Sequence, residues 1–481
     1  MRVDRILALL AVLIGALVIG YGIGGGSYVI PAMVAGLIFG LGTFIDLRIP
    51  LYGIVPAMVL LPELPLALPI RTEDLLMVPL ASAWLARVAI GRAHVPRTPL
   101  NGPIFALLAV EFTATIWGAL MGETDLAVQL YGGTFFFLKT VEVTLFFLLT
   151  ISIIRDYKDL RRLVFLFVMA GGALGIWGIV QRGSVREGQA IYGPAGEMGY
   201  SLLGLTFVVL MAAGLGLLLT YKSMRGRQLL LLCVAPIMVA LPFTLSRQSY
   251  VGAAAALFTL IWIRDRRLLI PAIAVAAMLP FIAPDVVQER AASIVTREAN
   301  PLTGASPYAT RIHSLLRRGP EVLRRSPLLG FGLASLPPGF LDNQYLLTVY
   351  YTGLIGLAIF LWVLVRAGRV AYGIYRGMPD SYRGLALGWL AATIGLALAG
   401  LAGNPFTAIR ARQAYWFLAA VSLAAARLRV MRLKQLEELE GRLSRAEASE
   451  AEVEASEYPG VGEAWHDEEE GWREGEGPSS E

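Results

Sequence analysis

The stretch from Tyr200 to Thr220, YSLLGLTFVVLMAAGLGLLLT, carries no charged residue along its whole length. A helix of that length spans a hydrocarbon core of about 30 Å. Backbone N–H and C=O groups in lipid must satisfy one another, so the stretch is read as a membrane-crossing helix. Similar stretches recur on both sides of it, at 6–22, 28–45, 51–68, 73–90, 102–120, 134–154 and 163–181 before it. After it they fall at 229–245, 249–263, 268–284, 344–365, 384–402 and 413–427. Pro62, Pro65 and Pro69 make a re-entrant segment an alternative for the pair at 51–90. The expectation is an all-α, polytopic membrane protein of about 14 transmembrane helices, within a range of about 12 to 14.

Composition agrees, with 56% apolar and 16% charged residues and a mean hydropathy of +0.63. Such a balance excludes a water-soluble domain of appreciable size. The single cysteine, Cys233, excludes an intramolecular disulfide. Nothing has the spacing of a metal site, a P-loop, a dinucleotide fingerprint or a nucleic-acid module. Metal ions, cofactors and nucleic acid are therefore not expected as partners, whereas membrane lipids are.

Arg and Lys near the helix ends set the direction of the chain. The loops at 87–101, 155–162, 222–227, 264–267 and 366–383 are basic, and with every span counted they share one side. Those at 23–27 and 121–133 hold no Arg or Lys. The basic side is read as cytoplasmic, with both termini on it, in a multi-pass protein of the inner (cytoplasmic) membrane. The N-terminal segment is read as an uncleaved first span. Residues 1–427 form the transmembrane domain, interrupted by an extracytoplasmic loop at 285–342. A cytoplasmic tail at 428–481 holds a short helix, with Leu433, Leu436, Leu439 and Leu443 at helical spacing, and an acidic, disordered end.

The outer loop runs against the positive-inside bias. It carries Arg290, Arg297, Arg311, Arg317, Arg318, Arg324 and Arg325. Solvated arginines in a translocated loop would explain this, as would a site for a multiply charged anion, since guanidinium bonds phosphate oxygens bidentately. Arg247, in Thr244-Leu245-Ser246-Arg247-Gln248-Ser249-Tyr250, lies between two spans with almost no room for a loop. It either snorkels to headgroups or is kept for a partner. Arg410 and Arg412 reach the same surface. Asp342 and Asn343 open the helix that contains Gly353-Leu354-Ile355-Gly356, as its N-cap or as groups that act on a hydroxyl. Lys139 and Glu142, at i, i+3 within a span, are spaced to pair.

In this order the elements resemble the O-antigen ligase and polymerase family of bacterial membrane glycosyltransferases. The matching pieces are Thr244-Leu245-Ser246-Arg247, then Arg311, Ser326-Pro327-Leu328-Leu329-Gly330-Phe331-Gly332, Asp342-Asn343-Gln344-Tyr345-Leu346 and Gly353-Leu354-Ile355-Gly356-Leu357. The resemblance implies a GT-C-like fold and metal-independent transfer of a glycan. The donor would be a polyprenyl-diphosphate-linked oligosaccharide, and a glycan or lipid-glycan hydroxyl on the extracytoplasmic side would be the acceptor. By position, Arg247 and Arg311 would bind the leaving diphosphate, and Asp342 with Asn343 would engage the acceptor. Arg410, Arg412, His313 and Tyr250 are further substrate-binding candidates.

Asp342 stands where ligases of the family have His, which tilts the reading towards a polymerase. Gly193–Gly199 lacks the Asn that relatives often have near position 199. From a different class, a transporter or flippase of lipid-linked glycans would also suit the span count and an Arg-lined cavity. The expected site is a cavity bounded by the helices around 247, 343 and 410, under a helical lid at 285–342.

Overall fold

A computed structural model describes Thr43 and residues 46–61, 71–121, 126–186, 188–194, 199–270, 284–292, 324–335, 341–378 and 382–457. Among them regular structure is helical and there is no strand. The helices are α1 (Arg48–Leu60), α2 (Thr72–Ala89), α3 (Asn101–Met121), α4 (Leu126–Ile153), α5 (Tyr157–Ser184) and α6 (Tyr200–Thr220). They continue as α7 (Met224–Phe243), α8 (Arg247–Arg264), α9 (Asp285–Ala292), α10 (Gln344–Gly377), α11 (Arg383–Ala399) and α12 (Ile409–Glu457).

Seven of these helices, α3 to α7, α10 and α12, are long and apolar enough to cross a membrane. α1 and α11 are apolar but shorter. α2 and α8 match the expected spans at 73–90 and 249–263 in position, and α2 brings Glu73 and Asp74 into its first turn. The expected span at 6–22 and nearly all of those at 28–45 and 268–284 lie outside the described residues. So do Pro62, Pro65 and Pro69.

Residues up to Ala426 form one compact unit and those from Arg427 a second. In the second, the helical stretch expected around Arg429–Arg445 is helical and continues to Glu457. Its four leucines are all exposed.

In the first unit the apolar residues are distributed as lipid requires. α6 and α11 are buried over most of their circumference. α3 and α7 instead turn Phe105, Phe112, Leu120, Leu231 and Leu232 outward. Lipid gives no hydrophobic drive between helices, so close packing and small residues hold them together. A Cβ on Gly216 of α6 would stand 2.4 Å from the Gly384 carbonyl oxygen of α11, and one on Gly388 2.7 Å from that of Ala212. Any larger side chain there would push the two central helices apart.

Segments far apart in the chain meet at the loop ends. Arg48 donates to both carboxylate oxygens of buried Asp159 at 3.2 Å, and Tyr52 adds a bond at 3.1 Å. Arg366 donates to the Pro99 carbonyl at 3.3 Å. Each of these joins segments at or beside the basic loops.

α10 departs from the expected span at 344–365. It is 34 residues long, or about 50 Å at 1.5 Å per residue, and it is interrupted at Gly353, whose φ of 68° and ψ of −169° are non-helical.

Candidate active site at the expected outer end of the bundle

The turn between α7 and α8 holds the first predicted element. Leu245 has a left-handed φ of 49°, a conformation that costs a non-glycine residue about 1–2 kcal/mol, so its surroundings must enforce it. Arg290 of α9 does so in part by donating to the Leu245 carbonyl at 2.8 Å. Ser246 caps α8: its hydroxyl accepts from the Ser249 amide at 3.4 Å and from the Ser249 hydroxyl at 2.7 Å. Tyr250 donates its hydroxyl to the Pro242 carbonyl. That bond staples the turn and occupies the phenol expected to bind substrate. Arg247, the first residue of α8, is half-buried. Next to it, Gln248 donates to Ser201.

At the start of α10 the two candidate residues divide their roles. Asn343 is the N-cap, accepting from the amides of Tyr345 at 3.1 Å and Leu346 at 3.0 Å. Its amide group donates to the Leu401 carbonyl at 3.3 Å. Asp342, one residue earlier, is exposed. The loop between α11 and α12 grips this segment at three further points. Asn404 donates to the Leu341 carbonyl, Gln344 donates its amide N–H to the Gly400 carbonyl at 2.8 Å, and Phe406 donates its own to the Gln344 side chain at 3.0 Å.

The break in α10 is filled by the Ser326–Gly332 element. The amides of Phe331 and Gly332 donate to the carbonyls of Tyr350 and Tyr351 at 2.9 and 3.0 Å. Leu354 and Ile355 return bonds to Pro327 and Leu328 at 2.9 and 3.4 Å. Trp117 of α3 fixes Ser326 by a bond of 2.9 Å. The two glycine-bearing motifs of the sequence are thus one interlocked structure. Every interrupted backbone group named here has a partner, as non-helical backbone within a membrane requires.

Between these elements lies a cavity of about 430 Å³. Asp342, Gln248, Arg412 and Asn404 line it, together with Glu111 of α3 and Thr140 of α4. It is bounded, as expected, by the starts of α8, α10 and α12, and also by α3 and α4. Arg412 is half-buried and donates to the Thr140 hydroxyl at 3.3 Å. It lies within electrostatic reach of Glu111 and Glu142.

Arg410 does not line the cavity. It is buried on a neighbouring face, where its charge acts on Glu73. There the anticipated pair of Lys139 and Glu142 forms at 2.9 Å, and Asp74 joins it as a second partner of the ammonium. Arg71 stands 3.6 Å from Glu73, and Gln413 donates to Glu142 at 3.4 Å. Arg311 and His313 lie outside the described residues.

No protein-family model matches the chain, and no curated protein matches it significantly. The arrangement is therefore interpreted from its own chemistry. Among the described residues no group of three or more His, Cys, Asp or Glu is placed to hold a metal ion. What the cavity offers is an exposed carboxylate at one wall, a second carboxylate, one guanidinium and several neutral polar groups.

Sequence reading missed Glu111, although a lone carboxylate within the apolar run 102–120 is itself a signal, because ions inside a span are costly unless used. Gln248 and Asn404 gave no comparable signal. Uncharged amides near helix ends are ordinary residues until their surroundings are known.

Proposed function

We propose that the protein transfers a glycan from a polyprenyl-diphosphate carrier to an acceptor hydroxyl at the extracytoplasmic face of the inner membrane. In this reading it is a GT-C-like protein of about 14 spans with both termini cytoplasmic, and residues 285–342 form a helical outer loop over the site. The acceptor oxygen attacks the anomeric carbon, the bond from that carbon to the diphosphate breaks, and polyprenyl diphosphate departs with the electron pair. Asp342 orients the attacking hydroxyl and takes its proton as the new bond forms, with Asn343 holding the carboxylate's segment in place. A carboxylate is a weaker base than imidazole, so proton transfer comes late. Arg247 and Arg311 hold the diphosphate and stabilise the charge it gains on leaving, while Arg410 and Arg412 contribute positive charge nearby and His313 contacts substrate.

The observation that carries this reading is that Asp342, Arg412 and Gln248, the neighbour of Arg247, line one cavity. These residues come from three separate helix starts. A membrane glycosyltransferase needs such a meeting of carboxylate and cation, and a polymerase and a ligase would differ only in which hydroxyl arrives.

A transporter or flippase of lipid-linked glycans shares one feature with this chain, the broken helix at Gly353. Transporters use such breaks to expose carbonyls to ions. Here the carbonyls of Tyr350 and Tyr351 are taken by Phe331 and Gly332, which favours the enzyme.

The test uses purified protein and the host's pool of polyprenyl-diphosphate-linked oligosaccharide, with release of lipid diphosphate followed for wild type, Arg247→Ala and Asp342→Asn. Release by wild type and its loss in both folded variants is expected. An intact donor in the presence of suitable acceptors would put the transporter first.

A further inference from the structure

The cavity contains buried polar atoms that the protein leaves unbonded. They are Oε2 of Glu111, Oε1 of Gln248, Oδ1 of Asn404 and Nε of Arg412, and all four residues line it. The orientation of the Asn404 amide is decided by its partner. Its nitrogen donates to the Leu341 carbonyl, so the unbonded atom is its oxygen, an acceptor. Buried polar groups are normally satisfied, and each one left unmade carries its desolvation cost uncompensated. Three acceptors and one donor without partners around a single cavity therefore describe the ligand by its complement. It must bring several donors and at least one acceptor, held close together.

Three classes of occupant can be weighed against that requirement. A polyprenyl tail offers no hydrogen bonds and would leave all four atoms stranded. A diphosphate offers only acceptors, which suits Arg412 alone and places negative charge beside Glu111 and Asp342. Arg412 is the one cation among the described lining residues, so their formal charge is already negative. A sugar carries hydroxyl groups that both donate and accept, arranged around a ring whose C–H faces are apolar. The same cavity presents apolar ring surfaces from Tyr351, Phe406 and Trp416, in the mixture of aromatic walls and few polar groups typical of small-ligand sites. Its volume lies at the lower end of the range for such sites, so it holds the end of a glycan.

We infer that this cavity is a saccharide subsite in which Glu111, Gln248 and Asn404 accept hydrogen bonds from sugar hydroxyls and Arg412 donates one, while the diphosphate stays outside. The inference takes the glycan class from the function proposed above and adds which residues recognise it. Glu111 and Gln248 are thereby residues that determine which sugar is accepted.

The test is equilibrium binding to the full chain in nanodiscs. One probe is the oligosaccharide cleaved by mild acid from the host's polyprenyl-diphosphate pool, and the other is inorganic pyrophosphate. Glu111→Leu and Gln248→Leu are each expected to weaken oligosaccharide binding about tenfold or more, the equivalent of one lost bond. Glu111→Gln, which keeps an acceptor, should retain most of it. Pyrophosphate binding should be unchanged in all three, which also reports that the variants are folded.

Unchanged oligosaccharide affinity in both leucine variants would overturn the inference. So would absence of oligosaccharide binding to wild type, or competition by pyrophosphate that is itself lost in those variants. Glu111-dependent binding without release of lipid diphosphate would uphold the subsite and sink the transferase. Normal release and normal affinity in Glu111→Leu would do the reverse.

Discussion

A Cβ placed on Gly353 would lie 2.1 Å from the carbonyl oxygen of Leu328. The backbone of the 326–332 segment passes through the space that any side chain at position 353 would fill. The conformation of Gly353, with positive φ and extended ψ, is accessible essentially to glycine alone. Gly330 makes the reciprocal approach, since a Cβ there would stand 2.5 Å from the Tyr350 carbonyl oxygen.

Gly353→Ala should therefore lower stability by about 1–3 kcal/mol from backbone strain alone, and further through the clash. Thermal unfolding in detergent measures this. Gly373→Ala, in the same helix with open space around it, is the control and should be neutral or stabilising by about 0.5–1 kcal/mol. Equal effects at the two positions would mean that the interlock contributes nothing.

Lys139→Met should be among the most destabilising single changes, at about 3–5 kcal/mol, because it strips the cation from two partly buried carboxylates, Asp74 and Glu142. Adding Asp74→Asn and Glu142→Gln to the same chain should recover much of the loss. Unfolding of the single and triple variants side by side decides it, and a triple variant no better than the single one would argue against the charge explanation.

Tyr250→Phe removes the bond to the Pro242 carbonyl and should cost about 0.5–1.5 kcal/mol of stability. Its affinity for pyrophosphate should stay at the wild-type level, unlike that of Arg247→Ala. Titration of both variants separates a stapling role for the phenol from contact with the diphosphate.

Asp46 lies ahead of α1, outside the spans. Burial alone would raise its carboxyl, but hydrogen bonds and charge from Arg48 outweigh this and hold it below the usual carboxylate range. A lowered folded-state value means stability that is present above the unfolded value of about 4 and lost as pH falls through the folded one. Wild type should lose thermal stability between about pH 5 and 3, and Asp46→Asn should lose less over the same interval. Identical acid limbs would show that Arg48 does not engage this carboxylate.

Much of the architecture was legible in the sequence because membrane insertion is a local property. The transfer preference of about twenty consecutive residues places a helix whatever surrounds it. The Lys139–Glu142 pair was legible for the same reason, since i, i+3 spacing on one helix brings the two together. A cavity bounded by the helices around 247, 343 and 410 was anticipated from the surface the span count gave them, and Gln248, Asp342 and Arg412 line one.

The rest required the tertiary structure. Whether Asp342 or Asn343 caps α10, whether Tyr250 faces a ligand or its own turn, and whether Glu111 is paired depend on groups far away in the chain. A glycine in a helix reads as flexibility until the carbonyl it admits is known, and Gly353 and Leu328 acquire their roles only from each other. The sequence determined which segments are long and apolar enough to form membrane-crossing helices. Only the fold decided which polar atoms within it were left for a ligand, because an unmet hydrogen bond belongs to a set of neighbours and not to any one residue.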